Sequence, residues 1–121
     1  PRTKKYLIQN KMLDFLKDVI VTEPLPFMDM VVLEQHAKAI LTDSGGVQKE
    51  AFFYGTPCIT MRDETEWIET VELGWNKIVG ADKNKILSAA NSLSYGEVNT
   101  TPYGDGQASR KILEVLSKQS C

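Results

Sequence analysis

Histidine and cysteine are scarce in this chain. Its 121 residues hold one histidine, His36, and two cysteines, Cys58 and Cys121. One histidine and no CxxC pair leave no zinc-ligand set, so no metal site is expected. One cysteine lies in an apolar run and the other is the last residue. They make no disulfide framework and read as thiols of a reducing, cytoplasmic compartment. No apolar run nears the ~20 residues of a membrane helix, and no charged segment leading into an apolar one opens the chain as a secretory signal would. A basic excess is also lacking. Fourteen Lys and Arg stand against sixteen Asp and Glu, a net charge of -2, which argues against a nucleic-acid module held by a basic surface. What is present is an ordinary globular mix, 42% apolar and 25% charged, of about one domain's length. The chain opens on Pro1 rather than methionine and runs straight into a helix-like stretch, so it reads as a piece of something longer.

Short apolar segments alternate with helical patterns. Residues 3–17 carry Leu7, Ile8, Met12, Leu13, Phe15 and Leu16 at helical spacing. Val19-Ile20-Val21 reads as a buried strand, and Glu23-Pro24-Leu25-Pro26 as a loop. A helix over 28–37 leads to a second strand, Ala39-Ile40-Leu41-Thr42. Asp43-Ser44-Gly45-Gly46 breaks it, and a helix over 46–54 ends at Gly55. A third strand, residues 57–61, precedes a polar turn and a helix over 65–73 ended by Gly74. Lys77-Ile78-Val79 is a fourth strand. Helices over 82–93 and about 107–118 flank a turn-rich connection. Such alternation predicts an α/β fold: a Rossmann-like parallel sheet with helices on both faces. Ligands of such sheets bind beyond the carboxyl ends of the strands, which directs attention to the residues just after each strand.

After the second strand comes Thr42-Asp43-Ser44-Gly45-Gly46-Val47-Gln48-Lys49-Glu50-Ala51. A helix that starts on glycines presents free N–H groups and its positive dipole end to an anion. Ser44 reads equally as an N-cap or as a hydroxyl donor to phosphate. Glu50, one turn after Gly46, is a candidate acceptor for ribose hydroxyls. No GK[ST] comes next, so this is not a Walker loop. After the third strand, Arg62 could neutralise phosphate or pair with a carboxylate. Thr65 followed by Ile68-Glu69 resembles an N-cap with an acidic first turn, and composition alone favours a capped helix beside a solvated loop. After the first strand, Phe27, Met28 and Met30 offer flat, soft apolar surface for a planar base, or else fasten a helix to the core. His36, on that helix, reads more readily as structural than catalytic.

Taken in order, these segments resemble the non-hydrolysing UDP-N-acetylglucosamine 2-epimerases, specifically the C-terminal domain of their two-domain, GT-B-like fold. The matching stretches are Pro1-Arg2-Thr3-Lys4-Lys5, Ile40 to Ala51, Gly55-Thr56-Pro57, Met61-Arg62-Asp63-Glu64-Thr65-Glu66 and Tyr103 to Ser109. The resemblance implies C2 epimerisation of a UDP-linked 2-acetamido sugar for surface polysaccharide synthesis. The route implied is elimination of UDP and its re-addition, with no redox cofactor. It implies Ser44, Gly45 and Gly46 on the diphosphate, Glu50 on the ribose, Arg62 as phosphate or loop support, and the segment from Pro26 to Met30, with Phe27 and Met30, against the uracil. It also implies a homodimer when intact. Residues 1–121 would then be a truncated C-terminal UDP-binding domain, inactive alone, because the resemblance implies most catalytic carboxylates in the N-terminal domain and a histidine-containing segment early in the C-terminal one, neither within these residues. Sheet edges left open by truncation predict self-association.

The sequence departs from the family where the common T-E-R-P-E reads Thr65-Glu66-Trp67-Ile68-Glu69, which removes a nucleotide-binding arginine. Lys49 stands where the family often has glutamate. The Thr-Glu-Trp variant, with Gly74-Trp75-Asn76 after it, looks like the branch acting on UDP-2,3-diacetamido uronic acids. Rival readings are the nucleotide half of a GT-B glycosyltransferase, a non-catalytic nucleotide-binding module and a receiver-like domain. The R-D-x-T-E stretch speaks against the first, and the lack of an acidic cluster after the first strand against the last.

Overall fold

The computed structural model describes residues 2–97 and 101–118. Pro1 and Cys121 fall outside them. The chain divides into two units, Pro1–Val32 and Leu33–Cys121, and each is described by itself.

In the first unit, α1 (Arg2–Gln9) is followed by a single 3-10 turn at Leu13–Leu16. The long helix expected over 3–17 is thus interrupted. The Asn10 side-chain amide donates to the Tyr6 carbonyl at 2.9 Å, and Lys11 takes a left-handed φ of 54°. A side chain that competes for backbone carbonyls and a left-handed residue together end a helix. The strand expected at Val19–Val21 does not form. A strand needs a neighbour to complete its ladder, and among the described residues none pairs with this segment. Ile20 is 93% exposed. From Phe27 to His36 runs α2, which passes from the first unit into the second.

The second unit holds β1 (Ile40–Thr42), α3 (Gly45–Tyr54), β2 (Cys58–Thr60), α4 (Ile68–Glu72), β3 (Asn76–Ile78), α5 (Lys83–Asn91) and α6 (Ala108–Lys118). The three strands pair in parallel in the order β1-β2-β3. Thr42 lies opposite Thr60, and Thr60 opposite Ile78. Every residue of the central strand β2 is buried, as a parallel strand covered on both faces must be. Side chains alternate along it. Ile59 packs with Val79, Ala89, Ile86 and Leu93, the face covered by α5. Thr60 turns the other way and bonds Asn76, which in turn bonds Gln48 of α3 and Thr70 of α4. Helices therefore cover both faces, as the sequence pattern predicts.

Two helix ends are set directly by sequence. Gly55 closes α3 in the left-handed region at φ 66°, and its N–H reaches the carbonyls of Ala51 and Phe52. Glycine adopts this conformation without a Cβ penalty. Asp82 caps α5 by accepting from the amides of Asn84 and Lys85 at 2.8 and 3.0 Å, and these bonds hold its carboxyl below the usual carboxylate range. The last helix, α6, is amphipathic as expected, yet none of its residues is buried. No helix of the described residues is long and apolar enough to cross a membrane.

Candidate functional site

Parallel strands point their carboxyl ends at one edge, and α3 starts at that edge directly after β1. Ser44 stands at the N-cap position with extended backbone, φ −85° and ψ 124°, but its hydroxyl makes no capping bond. Its own N–H is taken by the Thr42 hydroxyl at 3.0 Å. As the first three helical residues, Gly45, Gly46 and Val47 have no intrahelical acceptor for their N–H groups. The helix end therefore carries partial positive charge with unspent donors.

The glycines serve a purpose other than a tight turn. Neither has a positive φ; both lie in the first turn of α3. A Cβ on Gly45 would collide with the carboxylate of Glu66 and come within 3.4 Å of Trp67 Nε1. A Cβ on Gly46 would meet only the Ser44 hydroxyl, at 3.8 Å. Gly45 thus makes room for the loop after β2, while Gly46 leaves the helix end open.

That loop brings Arg62 to the same place. Its guanidinium donates to Glu66 at 3.0 Å, and its carbonyl accepts from Gly80 N–H at 3.0 Å. The exposed ion pair itself contributes little to stability. What it fixes is location: an anionic carboxylate lies against the amino end of α3 with a cation behind it.

Thr65 does not cap α4. The helix starts at Ile68, with Trp67 at the cap position and no side-chain cap bond. The Thr65 hydroxyl donates instead to Gln48 Oε1 at 2.6 Å and accepts from Trp67 N–H at 3.1 Å. This couples the loop to a buried polar network that sequence reasoning missed. Thr60 donates to Asn76 Oδ1 at 2.7 Å. Asn76 Nδ2 donates to Gln48 Oε1 at 3.2 Å and to Thr70 Oγ1 at 3.1 Å. Thr70 donates to the Trp67 carbonyl at 2.7 Å. Gln48, Thr60 and Thr70 are fully buried. The clue in the sequence was polar residues at inward strand positions, Thr60 and Asn76.

Trp67 and Lys49 form a second unforeseen arrangement. The Lys49 ammonium lies 4.3 Å from the Trp67 ring and 4.5 Å from that of Tyr103. Tyr103 meets Phe52, Phe53 and Trp67 edge-on and donates to Glu69 at 3.3 Å. Burial first, then the charge of Glu69, pushes its phenol up to about 12. No local pattern announces a contact between such distant segments.

Glu50, on the second turn of α3, meets Glu34 of α2. Burial first, then the charge of Glu50, raises the Glu34 carboxyl above its ordinary value. The Glu34 carbonyl accepts from the Thr56 hydroxyl at 2.8 Å. Phe27 and Met30 belong to the other unit. Phe27 is largely exposed, whereas Met30 lines an open depression of about 580 Å³ with Leu7, Leu16, Val21 and Leu25. Ser44, Gly45 and Arg62 therefore share one place, Glu50 lies a turn beyond, and Phe27 and Met30 stand on α2 in their own unit. Trp75, by contrast, is a core residue whose indole donates to the Glu97 carbonyl at 3.0 Å.

Parallel β–α–β units with a glycine-opened helix at their carboxyl edge define a Rossmann-like α/β protein of the GT-B-like kind. The chain belongs to the UDP-N-acetylglucosamine 2-epimerase family, whose sequence model matches residues 1–117. It is 45% identical over 120 residues to a UDP-N-acetylglucosamine 2-epimerase homolog of Methanococcus maripaludis, covering 96% of this chain and 34% of that protein. It is equally 45% identical, over 121 residues, to the UDP-2,3-diacetamido-2,3-dideoxy-D-glucuronate 2-epimerase of Pseudomonas aeruginosa, with coverage of 98% and 33%. Among solved structures, the Methanocaldococcus jannaschii UDP-GlcNAc 2-epimerase in complex with UDP-GlcNAc and UDP matches with a TM-score of 0.80 at 41% identity, covering 98% of this chain and 34% of that one. The chain thus spans about a third of the length of the curated relatives it matches.

Proposed function

We propose that residues 1–121 form the nucleotide-binding part of an enzyme that epimerises C2 of a UDP-linked 2-acetamido sugar. The amino end of α3 takes the diphosphate, through the N–H groups of Gly45 and Gly46 and the hydroxyl of Ser44. Glu50 accepts from the ribose hydroxyls, and Arg62 supports the phosphates. The observation that carries this reading is the unspent donor set at the α3 amino end, with an anionic side chain already drawn to it. The relatives' names supply the reaction; the helix end supplies the reason for a diphosphate. The family resemblance implies catalytic groups in the length that this chain does not span, so the chain alone is expected to bind without turnover.

Calorimetric titration with UDP, with GDP as control, tests the site. Binding of UDP that weakens on Ser44→Ala and on Glu50→Ala is expected. UDP binding indifferent to both substitutions overturns the assignment of residues, and no binding removes the nucleotide reading of this chain.

A further inference from the structure

The indole of Trp67 is the unusual group at this site. Its Nε1–H is buried and has no hydrogen-bond partner among the described residues. An unmet buried donor costs about 1–3 kcal/mol, and such groups in native folds call for an explanation. Its position supplies one. Nε1 lies 3.4 Å from the point a Gly45 Cβ would occupy, the same point that the Glu66 carboxylate crowds. The donor thus faces the amino end of α3, beside the amides that begin the helix.

The ring is held there from three sides. The Lys49 ammonium sits 4.3 Å from its centroid, and the Tyr103 ring meets it edge-on at 5.8 Å. The backbone on either side is fastened to the buried network, through Trp67 N–H to Thr65 and through Thr70 to the Trp67 carbonyl. A cation over an indole face is a favourable contact, and it also leaves the N–H edge free to donate. Glu66, 48% exposed and tied among the described residues to Arg62, can swing outward at little cost.

We propose that Trp67 is a diphosphate-binding residue. Its indole N–H donates to a phosphate oxygen that takes the place of the Glu66 carboxylate, and Lys49 and Tyr103 act as positioning residues for the ring. The inference rests on the reading of α3 as the diphosphate site. It adds a neutral donor from a different loop, and it gives Lys49 a role through the ring rather than by direct contact.

The test uses Trp67→Phe, which keeps an aromatic face for Lys49 and removes the N–H. Loss of one hydrogen bond to a charged group predicts about tenfold weaker UDP binding. Lys49→Met is expected to weaken binding less, and Lys49→Arg to restore it. A second readout needs no change at position 67. The chain has two tryptophans, so Trp75→Phe leaves one indole N–H resonance, which is expected to shift downfield as UDP is added. Unchanged affinity in Trp67→Phe, or an unmoved indole resonance while UDP binds, overturns the role of Trp67 and leaves the α3 site intact. Failure of the unaltered chain to bind UDP overturns both together.

Discussion

Glu34 of α2 is buried with the Glu50 carboxyl of α3 as its charged neighbour. Burial of Glu34 and the charge of Glu50 both favour the neutral acid and raise its folded-state value above 4.5. A raised value means that the stabilising form is fully present below the ordinary carboxyl range and is lost as pH climbs through the folded value. The difference in urea midpoint between the unaltered chain and Glu34→Gln isolates this contribution from the other acids. We expect the variant, which has no carboxyl to ionise at this position, to gain relative stability as pH rises above the ordinary carboxyl range. A pH-independent difference would mean that neither burial nor Glu50 disfavours the charged form of Glu34.

Asn76 joins β3 to three other buried groups, Thr60, Gln48 and Thr70. Removing its amide strands the Thr60 hydroxyl, while Gln48 keeps its bond from Thr65 and Thr70 its bond to the Trp67 carbonyl; an unmet buried polar group costs about 1–3 kcal/mol. The cavity left in this buried position adds to that, so Asn76→Ala is expected to cost about 3 kcal/mol, a drop in Tm on the order of 10 °C. Thr60→Val, which removes one donor and keeps the shape, should cost about 1 kcal/mol. Thermal unfolding followed by circular dichroism measures both. Equal and small effects would show that the network contributes no more than its packing.

Cys58 is buried in the central strand at 3% exposure. Burial pushes its thiol up to about 11, against a weaker opposing effect of the Thr60 hydroxyl. At pH 8 the thiolate fraction is then about one in a thousand, and the thiolate is the form that reacts. Iodoacetamide at pH 8 should leave Cys58 unmodified in the native chain and alkylate it in urea, read by peptide mass. Native alkylation of Cys58 would show that β2 opens readily.

The legible parts of the sequence were those set by local chemistry. Strands at 40–42 and 58–60 stood out as apolar runs, Gly55 marked the end of α3, and the strand–Ser-Gly-Gly–helix order pointed to the sheet's ligand edge. The strand expected at Val19–Val21 failed because apolar character alone supplies no ladder partner. The helix expected from residue 3 to 17 failed at Asn10 and Lys11, where side-chain competition and a left-handed backbone outweighed apolar spacing. At the site, Ser44 and the glycines were visible because helix starts have a residue signature. The Lys49–Trp67–Tyr103 cluster was not, since it joins three segments distant in sequence. Thr65 was misread as a cap because its partner, Gln48, lies 17 residues away.

The two glycines of α3 separate folding from binding. A methyl on Gly45 displaces the Glu66 carboxylate, a flexible end whose exposed pair with Arg62 contributes at most ~1 kcal/mol. A methyl on Gly46 meets only the Ser44 hydroxyl at 3.8 Å, an ordinary contact. Alanine favours a helix over glycine by about 1 kcal/mol in a helix interior and by less in its first turn. Both variants should therefore unfold within about 4 °C of the unaltered chain. Binding responds differently. A phosphate that accepts from the first amides of a helix must approach the backbone where these methyls stand. Loss of one charge-assisted hydrogen bond already weakens affinity roughly tenfold, so each alanine should weaken UDP binding by at least that, with Tm preserved. Gly46→Ala is the sharper of the two, because it leaves the Arg62–Glu66 pair and Trp67 undisturbed. If that variant binds UDP as the unaltered chain does, the diphosphate is not held by the amino end of α3.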